Sequence, residues 1–221
     1  MSVERSVEEL KLLNELEALS SEELVKKIVK LEWEAFDKVN NEGGRASCQN
    51  DWDTFEIMRK SQYNVFTKKM LVQYAYDFIV AVSNGRNLIT EKYARMEEST
   101  AKDKWEEIKD KFPVLSDKTK AVIEQIVKIQ VGWMEEFAKE YPALAMNART
   151  IHTSEDSEFN TSYETYLRGE LSTYTPEMLG LYGEFVVGIA SNGGNLARMI
   201  IEQTVLLNGY ESLEAAAIKA V

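Results

Sequence analysis

The chain has one cysteine, one histidine and three prolines in 221 residues. A single cysteine cannot close an intramolecular disulfide, so no such cross-link is expected to hold the fold. Long apolar runs are missing too. The longest, "MLVQYAYDFIVAV" from Met70, is too short to span a bilayer and contains Gln73 and Asp77. The opening residues, "MSVERSVEEL", lack the apolar core of a secretory signal. Basic residues are outnumbered, with 26 Lys and Arg against 37 Asp and Glu, a net charge of −11. So acidic a surface repels phosphate backbones, which argues against a nucleic-acid partner. It still allows a small anionic ligand wherever a few arginines make a pocket locally positive. These absences predict a soluble protein of the reducing cytoplasm with no membrane partner. No alternating run is bounded by hairpin turns, so no strand is expected.

What is present is helix signal. Hydrophobic residues at 44% suffice for a sizeable core, and charged residues at 29% with few Gly and Pro fit an all-α globular domain over residues 1–221. Ser6 with Glu9 and Ser20 with Glu23 have capping-box spacing. Helices are expected at about Val7–Ala18 and Ser21–Asn40, then from Asp51 past Arg59, at Lys68–Val82, after Asn87 to Glu98, and near Lys102–Lys111. A long helix should follow Ser116 and stop at Tyr141-Pro142. Beyond an aperiodic stretch, "NARTIHTSEDSEFNTS", helices resume at Tyr163–Leu171, after Thr175-Pro176-Glu177, after Asn195 and after Ser212.

Two segments are alike. "FTKKMLVQYAYDFIVAVSNGRNL" from Phe66 and "YTPEMLGLYGEFVVGIASNGGNL" from Tyr174 share nine of twenty-three residues without a gap. "IVKLEW" at Ile28 resembles "IVKIQVGW" at Ile126. This pattern suggests a duplicated unit, 28–98 and 126–206, around a pseudo-twofold axis. Convergence of amphipathic helices with Asn-Gly caps is the plainer alternative. Under duplication the polar connections "EGGRASCQND" and "NARTIHTSEDSEFN" correspond, and they hold the only Cys and the only His.

Those connections carry the candidate chemistry. Gly43 and Gly44 allow close backbone approach to a ligand, and the helix start near Asp51 offers free N–H groups. Arg45 and Arg59 in one half, with Arg149 and Arg168 in the other, could recognise a carboxylate or phosphate. They could equally pair with Glu42, Asp51, Glu164 or Glu170 to lock the loops. Cys48 lies near a helix start and three residues from Arg45, both of which favour a thiolate. His152 would serve as its base if the connections meet, with Glu164 as the third catalytic candidate. A lone cysteine is more commonly a small packed residue. Asp156 joins the ligand-binding set. No HExxH or paired ExxH spacing is present, so no metal site is assigned. Trp33, Trp52, Trp133, Phe36 and Phe137 fit apolar helical stripes and are expected in the core.

The segments "VNNEGGRASCQNDWDTFEIMRKSQ", "LITEKYARM" and "IHTSEDSEFNTSYETYLRGELSTY" resemble signature stretches of a mostly bacterial family, domain of unknown function 4125 (DUF4125). The resemblance runs from about Ile28 to the C-terminus. It implies no reaction, no cofactor and no catalytic residue. Two functional classes therefore follow from the residues themselves. One is a site for a small anionic molecule at the junction of two helical halves, with catalysis left open. The other is a non-catalytic helical scaffold or protein-interaction module.

Overall fold

The serines of the two capping boxes start their helices as the spacing predicts. In each, the serine Oγ accepts the backbone N–H three residues on, and the glutamate there accepts the serine N–H. Such a cap is worth about 1 kcal/mol. The structure is a computed structural model that describes residues 5–40, 44–146 and 148–220.

Its α-helices, in chain order, are α1 (Val7–Ala18), α2 (Ser21–Phe36), α3 (Trp52–Tyr63), α4 (Lys68–Ser83), α5 (Leu88–Thr100), α6 (Lys102–Ile108), α7 (Asp117–Glu140), α8 (Pro142–Ala145), α9 (Tyr163–Leu171), α10 (Pro176–Ser191), α11 (Leu196–Leu207) and α12 (Leu213–Lys219). No named strand occurs among the described residues. None of their helices is long and apolar enough to cross a membrane.

The expected boundaries hold closely, with two differences. α2 ends at Phe36 rather than Asn40, because the buried Gln49 side chain takes the carbonyls of Phe36 and Val39 at 2.8 and 3.0 Å. That contact satisfies helix-end acceptors from a distant loop residue. Beyond Tyr141 the chain makes one further helical turn, α8, with Pro142 in its first position.

Two groups of helices form around α2 and α7. α2 packs against α3, α4 and α5, and α7 packs against α9, α10 and α11. The groups then exchange contacts: α3 lies on α11, α5 lies on α9, and α4 meets α10. α1 covers α4 from outside. Gly169 permits the close approach of α9 to α5. A Cβ there would meet Met96 Cγ at 2.9 Å and the Lys92 carbonyl at 3.0 Å.

Matching residues of the two similar segments make matching contacts. Asn87 Nδ2 donates to Ala35 O of α2 at 2.8 Å, and Asn195 Nδ2 donates to Trp133 O of α7 at 2.9 Å. Each asparagine also caps the helix that follows it. Gly85 and Gly193 take φ of +74° and +68°, the left-handed conformation that ends the preceding helix. The rings of Tyr74 and Tyr174 lie 5.7 Å apart, as do those of Phe66 and Tyr182. One apolar core spans both groups, and it includes Phe36, Trp133 and Phe137, with Trp33 and Trp52 packed at its edge.

Candidate functional site

In the first connection Gly44 takes a left-handed φ of +87°. Gly43 and Glu42 lie outside the described residues. Arg45 folds back over its own loop. Its Nε donates to Asn50 Oδ1 at 2.8 Å, and its Nη2 donates to Asp37 Oδ1 at 2.5 Å and to Gln49 O at 2.6 Å. A 3-10 turn, Ser47–Asn50, leads into α3. Cys48 sits exposed on that turn. Asp51 caps α3 by accepting the Thr54 N–H, and this holds its carboxyl below the usual range.

The second connection is pinned to α9. Tyr163 N–H and Glu164 N–H donate to the carbonyls of Thr150 and Ile151 at 2.8 and 3.0 Å. Asp156 accepts from Ser99 Oγ and Thr165 Oγ1, both at 2.6 Å, and from Ser162 N–H at 2.7 Å. Partial burial works against its charge, but these donors win and hold the carboxyl below the usual range. Arg168 donates Nε to Glu124 at 2.7 Å and Nη2 to Glu164 at 2.7 Å, and Nη1 reaches Thr153 Oγ1 at 3.2 Å. Glu164 also accepts the Thr153 N–H at 2.9 Å. Burial pushes its pKa up, and the Thr153 and Arg168 donors overcome that push, so it stays an ionised acceptor. Arg149 donates to Thr161 O at 3.1 Å and stacks over the Tyr166 ring at 4.9 Å. His152 Nε2 faces Glu135 Oε1 of α7 at 3.1 Å.

Among the described residues no hydrogen bond or ion pair joins Cys48 to His152. Two surface hollows at the turn from α10 to α11 are lined by none of Arg45, Cys48, Arg149, His152 and Arg168. No group of three or more His, Cys, Asp and Glu side chains among the described residues is arranged to hold a metal ion.

Arg59 belongs elsewhere, in the core. Its Nε and Nη2 clasp both oxygens of Glu32 at 2.6 and 2.7 Å, and Nη1 reaches Glu170 Oε2 at 3.3 Å. Lys92 Nζ approaches Glu170 at 3.4 Å and Tyr166 Oη at 2.8 Å. Tyr63 and Tyr74 each donate to Glu32 Oε1 at 2.7 Å, and Tyr174 donates to Glu170 Oε1 at 3.2 Å. Gln62 donates to the same Glu170 oxygen. Two carboxylates and two cations thus balance inside the protein, and no buried polar side-chain atom among the described residues lacks a partner. Burial pushes the Glu170 carboxyl up, but the adjacent Arg59 and Lys92 charges overcome it and set it at about 2.

Sequence reasoning missed Glu32 and Lys92, and named Glu170 only as one of four carboxylates that could pair with the arginines. A signal existed for the first: Glu32 falls at helical spacing among Leu24, Ile28 and Phe36, an otherwise apolar face. A charge in such a face marks a buried partner. Nothing local reveals that the partner is Arg59, 27 residues on.

The fold defines an all-α protein in which two groups of helices pack on one another. The family model described as "Protein of unknown function (DUF4125)" matches residues 22–217. The chain belongs to that family. No curated protein and no solved structure matches it.

Proposed function

We propose that this chain is a non-catalytic helical scaffold or protein-interaction module, built from two similar halves, whose polar connections are braces. One observation carries the reading: all four arginines of the expected anion site are already engaged by the protein's own acceptors. An anion would have to displace Asp37, Glu32, Glu170, Glu124, Glu164 or a carbonyl to reach them. Such displacement trades one ion pair for another and gains little. The halves reading rests on the matched asparagine caps and on the reciprocal packing of α3 on α11 and α5 on α9. An exposed unpaired thiol at Cys48 suits a reducing cytoplasm.

The test is a thermal-shift screen with amino acids, small carboxylates, phosphates and nucleotides. A ligand at a hundred times its Kd stabilises by about 2.7 kcal/mol. The expected result is no stabilisation by any anion, with Arg45→Ala and Arg168→Ala each lowering Tm. A stabilising anion whose effect disappears in Arg45→Ala or Arg168→Ala would overturn the brace reading in favour of a binding site.

A further inference from the structure

The second connection turns back on itself between Ser157 and Asn160. Ser157 N–H donates to Asn160 O at 2.9 Å, and Asn160 N–H donates to Ser157 O at 3.2 Å. Glu158 and Phe159 are the two corner residues of that turn. Both of its flanks are tied down. On one side Asp156 takes its donors from Ser99 of α5, Thr165 of α9 and the Ser162 backbone. On the other, Asn160 Nδ2 donates to Thr150 Oγ1 at 3.0 Å. Bonds to two helices and to the start of its own connection thus hold the turn in one place.

That corner carries an unexpected residue. Turn positions favour Gly, Asn, Asp or Ser, which bond locally or tolerate the backbone. Phe159 is instead a large apolar side chain and is 93% exposed. Met146, at the start of the same connection, is 81% exposed. Single exposed apolar residues are ordinary on a protein surface. A phenyl ring on a braced corner differs from these, because its position is fixed before anything covers it. A partner that buries it has no loop left to order.

The charges beside the ring come in both signs. Arg149 gives Nη1 to Thr161 O, one residue past the turn, and has no carboxylate partner among the described residues. Glu158, next to Phe159, is exposed and forms no ion pair among them. In an isologous contact residue i meets residue j, and j meets i, so one surface supplies both members of each pair. Each copy carries a net charge of −11, a repulsion that physiological salt screens within about 8 Å.

We propose that the turn between Ser157 and Asn160 is a self-association surface. Phe159 of two copies pack together, and Glu158 of each copy pairs with Arg149 of the other. A contact centred on one turn gives a weak dimer. The proposal names a second copy of this chain as the partner, and so rests on the reading of the chain as an interaction module.

The measurement is sedimentation velocity of the full chain across a wide concentration range, at about 0.15 M salt. Wild type should pass from monomer to dimer as concentration rises. Phe159→Ser should weaken the dimer by about tenfold or more while leaving Tm unchanged. Arg149→Glu and Glu158→Arg should each weaken it, by setting like charges against each other. Mixed in equal amounts, those two variants should form a heterodimer, since every pair across that interface is then opposite in charge. A purely local loss at Arg149 is not rescued by mixing. A wild type that stays monomeric at every concentration overturns self-association in favour of a different protein, and leaves the brace reading to its own anion screen. A dimer unaffected by Phe159→Ser places the contact elsewhere and overturns the role of the turn. No heterodimer from the mixed variants overturns the pairing of Glu158 with Arg149.

Discussion

Arg59 grips Glu32 through two parallel bonds, Nε to Oε2 at 2.6 Å and Nη2 to Oε1 at 2.7 Å, with both side chains buried. Under the proposed pairing of the similar segments, Gln130 and Leu167 correspond to Glu32 and Arg59, and Gln130 Nε2 donates to Tyr182 Oη at 3.0 Å. That pairing sets an ion pair in one segment against a neutral amide and an apolar side chain in the other. Arg59→Leu strands the Glu32 charge and should cost about 3–5 kcal/mol. Glu32→Gln/Arg59→Leu copies the second half and should cost less than Arg59→Leu alone. Urea unfolding of the three proteins checks this. A double variant less stable than Arg59→Leu would contradict it.

Gln49 should matter more than its neighbour Arg45. It is buried and ties the carbonyls of Phe36 and Val39 to the loop. Gln49→Ala leaves those acceptors bare and should cost about 2–3 kcal/mol. Arg45→Ala removes a half-exposed pair with Asp37 and should cost about 1 kcal/mol or less. Calorimetry on both variants gives the order.

Asp77 should make stability depend on pH. Burial raises its carboxyl to about 6, against the lowering effect of its bonds from Thr175 Oγ1 and Gln73. Glu177 adds to the rise, and Arg5 opposes it. The folded state therefore holds this proton to higher pH than the unfolded chain. Its stabilisation is complete below about pH 4 and is lost as pH rises through about 6. Asp77→Asn keeps an acceptor for Thr175 without the charge. It should gain up to about 2–3 kcal/mol over wild type at pH 7 and lose that advantage by pH 4. Tm measured from pH 4 to 8 on both proteins tests the sign.

Cys48 should react as an ordinary exposed thiol. His152 is engaged by Glu135 on α7 rather than by the cysteine. Alkylation of the native protein with iodoacetamide should therefore proceed at the same rate in His152→Ala as in wild type. A severalfold drop in that variant would restore the pair as a catalytic candidate.

The fold was legible because its signals are local. Ser6, Ser20, Ser116, Thr175 and Asn195 each cap the helix that follows, and a cap needs only three or four residues of context. The connections were legible as unusual but not as to their role. Whether Arg168 meets a ligand or Glu124 depends on a helix 44 residues earlier. The buried Glu32–Arg59–Glu170–Lys92 cluster draws on four helices, so no sequence window contains it.

The crossing of α3 onto α11 and of α5 onto α9 bears on how the chain is made. α3 ends at Tyr63, and the helix that covers it is complete only at Leu207. A ribosome adding roughly 5–20 residues per second leaves that face uncovered for about 7–30 s. Throughout that interval the nascent first half presents Arg59 without Glu170 and an apolar surface without its lid. During synthesis the chain thus exposes to solvent, for seconds, a face that the finished fold covers.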